Sequence, residues 1–118
     1  DVTAAYDPNF GDVFERRNSS FLNYGVGLCK YTGSGGKGGA SDAAAEVVAY
    51  VRRILDENNI IWQMAELGKV DEGGGGTVAG LLAIDAGVPV LAMHAPFEVV
   101  AKLDCYMTYK AMKTVYEN

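Results

Sequence analysis

No apolar run in this chain approaches the ~20 residues needed to cross a bilayer, so no membrane-spanning helix is encoded. Basic excess is missing too. The net charge is −5, and the acids are spread along the chain rather than run together, which argues against a nucleic-acid footprint or an anionic membrane surface. Cysteine is scarce: Cys29 and Cys105 form no recognisable motif. With no secretory signal ahead of them, both thiols are expected to stay reduced in a cytoplasm. Asp1-Val2-Thr3 offers neither an initiator Met nor a signal-peptide pattern, so the chain is read as starting partway along a longer protein. What is present is ordinary. At 118 residues, 49% hydrophobic and 21% charged, the composition fits one globular domain or part of one, with no second domain.

The punctuation predicts the elements. Val2 to Tyr6 is short, β-branched and aromatic, and the turn cluster Asp7-Pro8-Asn9 stops it. A polar stretch runs from Gly11 to Ser20, and Tyr24 to Tyr31 reads as a strand. Ser41 opens a helix in which Asp42 favours the dipole and Val47, Val48, Val51, Ile54 and Leu55 recur at helical spacing, as far as Asn58-Asn59. Ile60 to Leu67 has strand composition, and Thr77 to about Leu82 suggests a short helix. Val88 to Met93 is nearly continuous in apolar residues, the pattern of a strand buried on both faces. Pro96 and Glu98 suit the start of a last helix, with Val100, Leu103, Met107, Ala111 and Val115 on one face. The order β-β-α-β-α-β-α implies an α/β fold, a layered mixed sheet with flanking helices and some parallel pairing.

Chemistry could come from the glycine-rich loops or from polar residues at strand ends. Gly33 to Gly39 (GSGGKGG) suggests a phosphate cradle, but Lys37 is followed by Gly38, and Tyr31 stands where the Walker pattern needs its first glycine. A surface loop is the better reading. Gly73 to Gly76, ahead of a helix, suits either an anion or oxyanion site or a tight turn passing close to the sheet. His94, the single histidine, follows a buried strand, and ligand sites in such sheets lie beyond the carboxyl ends of strands. The 73–76 loop is expected on the same rim. Asp1, Asp7, Glu66, Asp71, Asp85 and Glu98 are candidate carboxylates, most of them simply solvated. These residues alone support an α/β domain with a polar site near His94.

Longer stretches carry a resemblance. DVTAAYDPNF (1–10), FLNYGVGLCKYTG (21–33), WQMAELGKVDEGGGGTVA (62–79) and DAGVPVLAMHAPFE (85–98) together resemble the aspartyl aminopeptidase and vacuolar aminopeptidase I family of zinc metallopeptidases, particularly its bacterial members. The resemblance implies the C-terminal portion of an α/β (phosphorylase/hydrolase-like) catalytic domain over 1–118 and an enzyme with two zinc ions. By the same match, Asp1 and His94 are metal ligands and Lys30 lies near the substrate. Gly74, Gly75, Gly76 and Thr77 border the substrate pocket. The family's other elements (an earlier His, the Asp that bridges the zincs, and paired glutamates supplying a ligand and the general base) are expected upstream. Ala4 stands where many members have His, Gly35 and Gly38 replace larger polar residues, and the stretch between Ala79 and Ile84 is short.

The implied activity is metal-assisted removal of N-terminal residues from peptides in the cytoplasm. Its partners would be a peptide substrate, the N-terminal half of the catalytic domain, and further copies in a homo-oligomer, a dodecamer in the family; neither nucleic acid nor membrane is implied. With two ligands only, the isolated chain is expected to be inactive. The competing expectations are a non-catalytic α/β fragment or assembly module and, more weakly, an anion-binding domain built on the glycine loops.

Overall fold

In the computed structural model, residues 2–29, 43–66 and 84–118 are described. Their strands are β1 (Val2–Ala4), β2 (Val26–Cys29), β3 (Trp62–Met64), β4 (Asp85–Leu91) and β5 (Val99–Val100). The helices are α1 (Ala45–Glu57) and α2 (Lys102–Glu117), and a 3-10 segment covers Pro8–Val13. The strands form one mixed sheet in the order β1-β4-β2-β3, with β5 on β4.

β4 is the hub. Its first residues pair antiparallel with β2, from Gly27↔Gly87 to Cys29↔Asp85. Its later residues pair parallel with β1, from Val2↔Val88 to Ala4↔Val90. Its end turns back on itself, with Val90↔Val100 and Leu91↔Val99 antiparallel. β3 runs parallel to β2 on the far edge. Because β4 opposes β2 and β3, the carboxyl ends of β3 and β4 open on opposite rims of the sheet. His94 lies beyond the carboxyl end of β4, as expected, whereas the 73–76 loop expected on the same rim lies outside the described residues.

Side-chain alternation sorts the core. Val26 and Leu28 cluster with Leu55 of α1, Met107 and Ala111 of α2, and Ile60. Gly27, on the other face of β2, faces Thr3 and Ala65 so closely that an added Cβ would lie 2.8 Å from Thr3 Cγ2. The helical periodicity of α1 is as expected at Val51, Ile54 and Leu55, although Val47 is exposed. Its N-cap is Ala44, with no side-chain cap bond; Ser41 and Asp42 lie outside the described residues.

Other expectations needed correction. β4 starts at Asp85, earlier than Val88; as expected it is covered on both faces, with Pro89 and Val90 buried in succession and none of its residues exposed. The chain after it does not enter a helix at Pro96. It forms a seven-residue loop over 92–98 and then β5, and α2 begins only at Lys102. Val100 and Val115 are exposed; the buried face of α2 is Asp104, Met107, Ala111 and Thr114. The strand expected over 60–67 is confined to Trp62–Met64. The helix expected at 77–82, the loop at 33–39 and the short stretch at 79–84 fall wholly or almost wholly outside the described residues.

Local chemistry accounts for the turns. Asp7 Oδ1 accepts from Asn9 N at 2.9 Å and caps the 3-10 segment, with Pro8 in its first turn. The reversal before β2 is held from two sides. Asp104, fully buried, accepts from Asn23 N and Gly25 N, each at 2.8 Å. Gln63 accepts from Phe21 N at 2.8 Å and donates to Phe21 O and Gly25 O at 2.9 and 3.1 Å. Gly25 is required there: its φ is +93°, and a Cβ would stand 2.1 Å from Ile61 O. One strand and one helix thus tie down the entry to β2.

Candidate functional site

Of the sequence-derived site residues, His94 is the one that falls among the described residues; Asp1, Lys30, Gly74, Gly75, Gly76 and Thr77 lie outside them. His94 sits in the loop between β4 and β5, three residues past Leu91, with its side chain exposed. The loop opens with a tight turn in which Ala95 N donates to Ala92 O at 3.0 Å. His94 is the third residue of that turn and has φ +69°, as the type II geometry demands of its usual glycine or asparagine. Ala92 is left-handed as well, at φ +57°. Each such non-glycine residue costs on the order of 1 kcal/mol. The opposing contact is close by: His94 N donates to Glu98 Oε1.

A cavity of about 320 Å³ opens beside this loop, walled by Ala4, Ala5, Phe14, Val90, Met93 and Ala95. Asp7 is the one carboxylate on its wall. The surface favours burial of apolar groups over recognition of charge.

Among the described residues the candidate carboxylates form no metal-holding group with His94. Asp7 is a cap, and Glu98 is engaged with the His94 backbone. Asp85 lies at the opposite rim, paired with Cys29 across the β2–β4 ladder. There the buried Cys29 thiol has Thr3 Oγ1 at 3.6 Å. Its pKa is pushed from 9.0 up to about 12, first by burial, then by the charges of Asp85 and Glu66, with the Thr3 contact opposing. It is therefore an inert thiol at neutral pH. Asp71 and Asp1 are not among the described residues; Val2, next to Asp1 in the chain, is level with Val88 near the middle of β4.

Zinc takes imidazole and carboxylate donors, commonly four in a closed set. Among the described residues no group of three or more His, Cys, Asp or Glu could hold a metal ion. His94 fits as a single donor, exposed and on a backbone fixed at the carboxyl end of β4. Reading the sequence missed Glu98 as the partner of the His94 backbone, since nothing in its spacing distinguishes it from a helix-start acid. It also missed Asp104, for which a signal existed: an aspartate between Leu103 and Met107 on an apolar helical face.

A family model described as aminopeptidase I zinc metalloprotease (M18) matches residues 1–116. The chain is 51% identical to a probable M18 family aminopeptidase 1 of Borreliella afzelii, over 99% of this chain and 27% of that protein. In structure it is similar to aminopeptidase I from Clostridium acetobutylicum, with a TM-score of 0.89 and 49% identity over 100% of this chain and 27% of that one. It is also similar to the M18 family aminopeptidase of Thermotoga maritima, with a TM-score of 0.86 and 46% identity, covering 98% and 27% respectively. The chain thus spans about 27% of the length of the relatives it matches.

Proposed function

The chain belongs to the aminopeptidase I zinc metalloprotease family, and from that premise we propose that it forms the C-terminal part of the catalytic domain of a zinc aminopeptidase. The observation that carries this reading is the match over residues 1–116, with His94 exposed on a pinned turn at the end of β4. His94 contributes an imidazole nitrogen and Asp1 a carboxylate oxygen to a site of two zinc ions. Lys30 and the stretch Gly74, Gly75, Gly76 and Thr77 border the bound peptide. Zinc, when bound, lowers the pKa of a bound water and polarises the scissile carbonyl. The further ligands and the general base come from sequence ahead of Asp1, so the 118-residue chain by itself is inactive. The complete protein removes N-terminal residues from peptides in the cytoplasm as a homo-oligomer.

The test is a chimera. This chain replaces the matching segment of the Clostridium acetobutylicum relative, and hydrolysis of aminoacyl-nitroanilides is followed with zinc present. Retained hydrolysis that falls at least ~100-fold on His94→Ala supports the assignment, the size expected when a metal ligand is removed. An active His94→Ala chimera sinks it, and zinc-dependent hydrolysis by the isolated chain refutes its incompleteness.

A second reading is a non-catalytic assembly module. It is favoured by the exposed stripe Tyr109, Met112 and Tyr116 along α2, an apolar surface suited to protein contact. Zinc stoichiometry of the chimera by elemental analysis separates the two.

A further inference from the structure

We propose that Glu98 is a positioning residue for His94: its carboxylate holds the His94 backbone left-handed and so fixes the direction in which the imidazole leaves the β4–β5 loop. Three observations meet here. His94 and Ala92 both have positive φ, at 69° and 57°, within one turn. The turn's own hydrogen bond, Ala95 N to Ala92 O, closes around His94 but leaves its N–H free. That N–H is taken by Glu98 Oε1, four residues on, from the far arm of the same loop. The loop is bracketed by a short ladder, Val90↔Val100 and Leu91↔Val99, so Glu98 stands beside the first residue of β5 on a fixed base.

A left-handed histidine in an exposed loop relaxes unless something selects that conformation. Packing does not select it, since residues 94–98 are all exposed. The carboxylate does, through a charge-assisted bond to a backbone donor. A ligand must be held within a narrow angular range to serve a metal, and partners that orient ligands set affinity nearly as strongly as the ligands do. Glu98 acts on the ligand's backbone, whereas the usual orienting partner acts on the second ring nitrogen.

The inference rests on the metal reading of His94, and two independent readouts on the purified chain keep the two apart. The first is hydrogen exchange of the His94 amide. Glu98→Ala is expected to speed it about 10-fold, the size of a hydrogen bond to a charged acceptor, while Glu98→Gln, which keeps an acceptor oxygen, stays close to wild type. The second is a titration with zinc alone, followed by the imidazole Hε1 resonance of the single histidine. Glu98→Ala is expected to raise the zinc concentration at the midpoint by at least ~10-fold, with Glu98→Gln again close to wild type. Unchanged amide exchange in Glu98→Ala would overturn the proposal. So would a Glu98→Gln midpoint equal to that of Glu98→Ala, because net charge would then account for the effect. If zinc moves no His94 signal even in wild type, the chimera decides the metal reading, since further ligands come from outside this chain, and amide exchange alone decides whether Glu98 holds the loop.

Discussion

The turn before β2 and the loop after β4 both contain left-handed residues, yet they are built in opposite ways. In the first, Asn23 and Gly25 carry the positive φ values, residue types that tolerate them, and buried Asp104 and Gln63 saturate the backbone around them. In the second, Ala92 and His94 carry them in the open, with one surface carboxylate as the opposing contact. The first turn spends its polar groups on stability. The second tolerates strain at the residue whose side chain has chemistry to offer, which is where strain is expected to persist.

That contrast can be broken experimentally. Asp104→Ala should have the largest effect. It strands the buried Gly25 donor and the part-buried Asn23 donor, and urea unfolding should show a loss on the order of 3 kcal/mol. If stability barely changes, the turn is not the clamp described. Gly25→Ala should follow, at roughly 2–3 kcal/mol, because a Cβ meets Ile61 O on a left-handed backbone.

Cys29, at the opposite end of β2 from the clamped turn, gives a pH-dependent test of burial. Its folded pKa, about 12, lies above the ordinary 9.0, so the protonated thiol contributes stability in full below pH 9. That contribution is lost as pH rises toward 12. Wild type should therefore lose more stability than Cys29→Ala over this window. At pH 8, alkylation followed by mass spectrometry should label exposed Cys105 well before Cys29; equal rates would contradict the burial.

The smallest effect should be at His94. His94→Gly should leave stability unchanged or raise it by up to about 1 kcal/mol, since glycine suits that turn position. A clear loss of stability would mean that His94 is a structural residue.

Much of the packed side was legible beforehand, because periodicity is set by burial. Val51, Ile54 and Leu55 announce α1, and the run through Val26 and Leu28 announces β2. The hairpin was not legible. Pro96 and Glu98 ahead of Val99-Val100 carry the composition of a helix start, and only the tertiary pairing of those valines with Val90 and Leu91 makes them a strand. Asp104 shows the same limit: which backbone donors a buried carboxylate serves depends on partners about 80 residues away. The family resemblance singled out His94 as a candidate ligand, but the backbone that carries it, and the role proposed for Glu98, depend on a loop geometry that motif matching does not encode.

The parallel pairing of β1 with β4 also bears on how the chain reaches this state. Val2 pairs with Val88, 86 positions further along (88 − 2) in a chain of 118 residues. A contact so distant must wait for loop closure before it returns any energy, which places this protein among slow folders for its size. Until β1 arrives, one edge of β4 stays open to pairing with other chains. Trimming the first five residues should therefore show itself first as aggregation during refolding.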